Sequence, residues 1–232
     1  MKKTKPPRAK ESAKMRLFQV KANYAESIFQ TALGNHEGSL VALKRALEWD
    51  PTCAPAILTL GSIEYQRRRR AEGRKLFQSL LSLSETTPDL FEIIDKAATF
   101  LVDFRAYEDG LELFRAAAEK FPSAAAFHEG VCWAASKVGL YDQALAAAER
   151  ALQLEAGNQK HVNNLGWALF EAGRLEQART ELERAVSMDP ADKLARENLR
   201  LCRAENSKRS EESGAALKPP PARPRRRPKS GP

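Results

Sequence analysis

NNLGWALFEAGRLEQARTELERAVSMDP, residues 163–190, holds two amphipathic helical patterns on either side of Gly173. Before the glycine, Leu165, Gly166 and Leu169 recur at helical spacing; after it, Ala178, Leu182 and Ala185 do the same. Gly173 supplies the backbone freedom of a tight helix–helix turn. Asp189-Pro190 closes the second helix, because proline has no N–H to continue the ladder. Neither helix can bury its apolar stripe alone, so the unit requires neighbours of its own kind.

Those neighbours are written upstream. A step of 34 residues carries Gly173 to Gly139, Ala178 to Ala144, Ala185 to Ala151 and Pro190 to Ala156. A further step gives Gly110, Phe114, Ala117 and Pro122. The spacing then widens to 37 around residues 88–90, before Leu60-Gly61, Gly73 and Phe77 mark another unit. Gly34, Leu43, Ala46 and Asp50-Pro51 mark the first. Five units result, near 20–53, 54–90, 91–124, 125–158 and 159–192.

A helix–turn–helix period of 34 with Leu-Gly, then Gly, Ala, a bulky residue, Ala and Pro resembles the tetratricopeptide repeat family. The resemblance implies an all-α, right-handed α-solenoid of five helix-turn-helix units. Departures fall at the Leu-Gly place, which is Glu26-Ser27 in the first unit, Ala97-Ala98 in the third and Val131-Cys132 in the fourth. Asp192 can cap one more helix, to about 205, whose Leu194, Leu201 and Cys202 would pack on the array while Arg196, Arg200 and Arg203 face water. A polar-backed terminal helix of this kind keeps a solenoid soluble.

The net charge of +8 is unevenly placed. Residues 1–16 sum to +6 and residues 208–232 to another +6, which leaves 17–207 at −4. The reading is therefore a mildly acidic solenoid, 17–205, between two basic segments expected to be disordered, 1–16 and 206–232. The MKKTKPPRAK start lacks a following apolar run, and nothing approaches a membrane span of roughly 18 apolar residues. Cys53, Cys132 and Cys202 are odd in number and show no CxxC spacing, as expected of reduced thiols in an intracellular protein.

Enzyme signals are absent: the chain has no phosphate-binding glycine loop, no HExxH and no Gly-x-Ser-x-Gly. His128 and Cys132 share a helix face, but on the apolar stripe, and one His with one Cys cannot complete a zinc site. No cofactor or metal is expected. The informative positions lie about 100° round each first helix from the core stripe. They are Tyr65 in the second unit, Asp95 and Thr99 in the third, and Glu129, Trp133 and Lys137 in the fourth. In the fifth they are Asn163, Trp167, Phe170 and Glu171. In the family, first helices line a concave groove that holds a peptide, so the resemblance implies that this stripe is the binding surface for a protein or peptide partner. Trp133 and Trp167, one period apart, would be its anchors. The clamp with which some family members hold a chaperone's C-terminal carboxylate would fall on Tyr24, Ile28, Thr59, Glu92 and Lys96, and only Lys96 suits it.

The two basic arms, 1–16 and 208–232, give a second reading, in which a nucleic-acid-associated adaptor contacts the phosphate backbone through them. Arg223, Arg225, Arg226 and Arg227 lie in the second arm, in Pro-rich sequence, whereas Arg67, Arg68, Arg69 and Arg70, set by register at a turn, read as a solvated turn or as a patch for phosphate or an acidic partner.

Overall fold

A computed structural model describes residues 9–216, with side chains from 12 to 210. Within them the chain is helical throughout. The helices are α1 (Ala9–Ala32), α2 (His36–Trp49), α3 (Ala54–Gln66), α4 (Arg70–Leu81), α5 (Leu90–Asp103) and α6 (Tyr107–Lys120). They continue as α7 (Ala125–Lys137), α8 (Tyr141–Leu154), α9 (Gln159–Glu171), α10 (Leu175–Met188) and α11 (Lys193–Ala216). No helix among the described residues is long and apolar enough to cross a membrane.

The period is written into the backbone at the turn inside each pair. Each odd-numbered helix from α1 to α9 ends on a residue of positive φ: Gly34 (73°), Arg68 (63°), Arg105 (62°), Gly139 (77°) and Gly173 (76°). The residue after it donates its N–H five positions back. These bonds are Asn35 to Gln30, Arg69 to Glu64, Ala106 to Leu101, Leu140 to Ala135 and Arg174 to Leu169, at 2.8–2.9 Å. That is a Schellman closure, which satisfies a helix-end carbonyl and reverses the chain. Glycine takes this left-handed conformation freely, whereas the arginines at 68 and 105 hold it against a steric penalty.

Pairs pack within each unit, and the first helices also touch their counterparts in series: α3 with α5, α5 with α7, α7 with α9, and α9 with α11. The Leu-Gly places explain the close approach. A Cβ on Gly61 would sit 2.4 Å from the Phe77 ring, and one on Gly166 would sit 2.7 Å from Leu182. Ala97, Ala98, Val131 and Cys132 are buried at the matching places, as is Ser27 in the first unit. The main core runs unbroken from Ala54 to Cys202. Truncating Phe77 or Phe114 at its centre removes about 3–5 kcal/mol.

Both ends differ from the boundaries expected above. α1 already begins at Ala9, and α11 continues to Ala216, past residue 205. α11 is held to α10 by side chains on both sides of residue 205: Asn206 donates to Glu176 at 2.5 Å, and Arg203 to Glu183 at 3.0 Å. Arg209 adds an i,i+4 pair with Glu205 at 3.0 Å.

Candidate functional site

A cleft of about 340 Å³ opens on the face formed by α5, α7 and α9. Asp95 and Thr99 come from α5, Glu129 and Trp133 from α7, and Trp167 and Glu171 from α9. All six were singled out from sequence, and three consecutive units contribute two each. Phe114, Gly130 and Cys132 are also in its lining. Gly130 is needed there, since a Cβ would meet the Phe114 ring at 2.2 Å.

Ser136 of α7 and two polar residues of α9 complete the cleft without having been singled out from sequence. Lys160 lies 2.7 Å from Glu129, and Asn164 donates to the same carboxylate at 3.0 Å. Their counterparts one period earlier, Ala126 and Gly130, are small and also line the cleft. The 34-residue register therefore contained the signal: α9 presents side chains across the space that α7 leaves open.

Charge in the cleft is predominantly negative. Burial raises the Asp95 carboxyl above its ordinary 3.8, and the neighbouring Glu129 adds to the rise. Glu171 is 3.8 Å from Lys137, yet its Oε2 is buried with no hydrogen-bond partner. His161 is buried beside the cleft, with Nε2 3.1 Å from Glu155 and Nδ1 3.8 Å from Glu129. Burial, with Glu171 and Glu129 nearby, pushes the Cys132 thiol up to about 12, so a nucleophilic role does not suit it. His128 is turned to the Pro122 carbonyl at 3.2 Å.

Four of the expected groove residues stand elsewhere or at the rim. Tyr65 is 2% exposed and stacks on Phe77, with centroids 5.6 Å apart. It sits three residues, and so about 60° of helix, from Ser62, the counterpart of Thr99 across the 37-residue interval. Asn163, 3% exposed, donates no surface to a ligand, because Asn198 of α11 covers it and bonds to its Oδ1 at 3.0 Å. Phe170 tilts against Trp167 at 4.9 Å and packs on the core. Lys137 is at the rim, pairing with Glu171.

The arginine run has a structural setting. Arg67 pairs with Glu37 at 2.6 Å, Arg69 with Glu64 at 3.6 Å, and Arg70 with Asp109 at 2.5 Å. Arg68 occupies the left-handed turn. Asp109 also accepts from Arg74 and, at 2.7 Å, from the Tyr65 hydroxyl. Burial would raise this carboxyl, but the hydrogen bonds from Arg70 and Tyr65, with the charges of Arg70 and Arg74, hold it below 3.8. The second cluster, Arg223, Arg225, Arg226 and Arg227, lies outside the described residues.

A family model described as tetratricopeptide repeat matches residues 135–200. Among solved structures, the TPR protein YrrB aligns with a TM-score of 0.54 at 18% identity, over 81% of this chain and 96% of that one. MamA gives 0.54 at 15%, over 74% and 92%. MamA 41-end from Desulfovibrio magneticus RS-1 gives 0.53 at 15%, over 75% and 97%. At these identities the likeness is one of fold. No curated protein matches the chain by sequence. With five Schellman-closed helix pairs stacked in register, the chain has the fold of tetratricopeptide repeat proteins, and residues 135–200 carry that family's sequence pattern.

Proposed function

We propose that this chain is a non-enzymatic interaction scaffold that takes a peptide or protein segment in the groove lined by α5, α7 and α9. One observation carries the reading: two indoles and three carboxylates from three successive units converge on a single cleft. Trp133 keeps 37% of its surface exposed there, on a helix whose neighbouring stripe is fully buried. An exposed indole in a concave site is the type of group that anchors partners, with truncation typically removing about 2 kcal/mol or more.

The family supports the same reading. Tetratricopeptide repeat proteins bind protein or peptide partners and are typically non-enzymatic. YrrB, which shares the fold, is described as having an unusual peptide-binding site. Chemistry at the cleft points the same way, since its one thiol is buried and held protonated.

The test uses the full chain as bait in a nuclease-treated lysate of its host, beside a Trp133→Ala/Trp167→Ala variant. The double variant is expected to keep its helical circular dichroism and to lose the proteins that the wild type retains. Retention of the same proteins at the same level by a folded double variant would remove the groove from the account.

A further inference from the structure

We propose that the cleft between α5, α7 and α9 seats the guanidinium of an arginine in a basic peptide segment of a partner protein. This deepens the groove reading and rests on it. The first argument is charge. Asp95, Glu129 and Glu171 face the cleft against one lining cation, Lys160, which already sits 2.7 Å from Glu129. Lys137, outside the lining, reaches Glu171 only at 3.8 Å.

The second argument is independent of charge counting. Glu171 Oε2 is withdrawn from solvent and receives no hydrogen bond. A buried carboxylate oxygen in that state is expensive unless a donor arrives. Asp95, half-buried on the opposite wall, has its charge disfavoured by burial and by Glu129, which outweigh the pull of Lys160 and Lys96. The protein thus supplies a buried acceptor on α9 without supplying its donor, and a second carboxylate on α5 facing the same space.

Shape selects arginine over lysine. The acceptors sit on separate helices, and Trp133 and Trp167 contribute flat apolar walls to the same space. A guanidinium presents five N–H donors in a planar fork and stacks on indole faces, whereas an ammonium is a compact, strongly hydrated point. A cleft of 340 Å³ also has room for the side chain and part of its backbone. Residues 17–207, which bear the cleft, sum to −4, so the charge around the site does not oppose a basic ligand, while the +12 of the two terminal segments does not select for one.

The probe is a fluorescein-labelled Gly-Arg-Gly-Arg-Gly peptide, titrated against the full chain by anisotropy, beside lysine and citrulline versions. Citrulline keeps the shape and removes the charge. The arginine peptide is expected to bind roughly tenfold more tightly than the citrulline peptide and severalfold more tightly than the lysine peptide. Asp95→Asn and Glu171→Gln, which keep shape and fold, are each expected to weaken the arginine peptide by roughly tenfold. Equal binding of arginine and citrulline peptides, or undiminished binding by both amide variants, would overturn the inference.

A full-length variant with Arg223, Arg225, Arg226 and Arg227 changed to alanine separates the sources. Unchanged affinity fits a partner's peptide. A marked gain would mean that the chain's own C-terminal arginines compete for the cleft, and the partner assignment would fall. If the amide variants retain the lysate proteins that Trp133→Ala/Trp167→Ala loses, the groove stands and only the arginine assignment fails. If the tryptophan variant loses nothing, the groove reading itself has failed.

Discussion

Asp95 and Asp109 belong to the same repeat unit, one on α5 and one on α6, and they are treated in opposite ways. Asp109 is 3% exposed and surrounded by donors: the Tyr65 hydroxyl, Arg70 and Arg74. Its carboxyl is held below 3.8. Asp95 lies on the cleft side, where burial and Glu129 drive its carboxyl above 3.8. A buried acid whose donors all come from the protein ties units together. A half-buried acid whose surroundings disfavour its charge is a disadvantage to the fold, and on the cleft wall it is an acceptor that the proposed arginine would engage.

The largest effect should come from breaking the satisfied site. Asp109→Ala strands the buried Tyr65 hydroxyl and two guanidinium groups and is expected to lower unfolding stability by about 3 kcal/mol in urea titration. Tyr65→Phe, which removes one hydrogen bond, should lose about 1 kcal/mol. The pH dependence has a definite sign. The folded carboxyl of Asp109 is more acidic than the unfolded one, so its contribution is complete above about 3.8 and disappears as pH falls through the folded value. Acid unfolding of Asp109→Asn should lack that component.

Asp95→Asn should do the reverse, by a smaller amount. Because the folded carboxyl holds its proton to higher pH than the unfolded one, stability falls as pH rises from 3.8 through the folded value. The penalty applies wherever the pH lies above the folded value. Removing the charge should therefore raise Tm by about 2 °C at pH 7 and leave it unchanged at pH 3, in thermal scans of the two proteins. A stabilising substitution that weakens arginine-peptide binding is the signature of a site residue. A drop in Tm at pH 7 would place Asp95 with Asp109, as a structural acid.

The smallest effect concerns the turns. Arg105 holds φ 62° where Gly34, Gly139 and Gly173 hold 73–77°. Arg105→Gly should stabilise by about 0.5 kcal/mol, the relief of left-handed strain less the entropy of a glycine in the unfolded chain. Chemical denaturation resolves this if the two midpoints are measured side by side.

Much of the fold was legible because a period of 34 residues needs only local signals: small residues where helices cross and a turn between them. The left-handed positions at 34, 68, 105, 139 and 173 repeat the spacing of 34 and its one interval of 37. That two of them are arginine was not legible, since the Schellman bonds fix the conformation whatever the side chain. At the site, register found Trp133, Trp167 and the carboxylates. It failed at Asn163, which is equivalent to Glu129 by sequence but sealed by α11. The contact itself is periodic: Glu129 meets Asn164 as Asn163 meets Asn198. α11 thus begins as the first helix of a sixth unit, and a single helix's pattern cannot show which neighbour will cover it. Tyr65 was misplaced for a related reason: its partner Asp109 is 44 residues away.

The most direct test of the groove is photo-crosslinking from inside it. A photoreactive phenylalanine at Thr99, on the cleft wall, and one at Glu119, exposed on α6, would be irradiated in host lysate in parallel. The account predicts a discrete crosslinked partner from position 99 and none from 119. Crosslinking confined to 119, with position 99 silent in a folded protein, would contradict it.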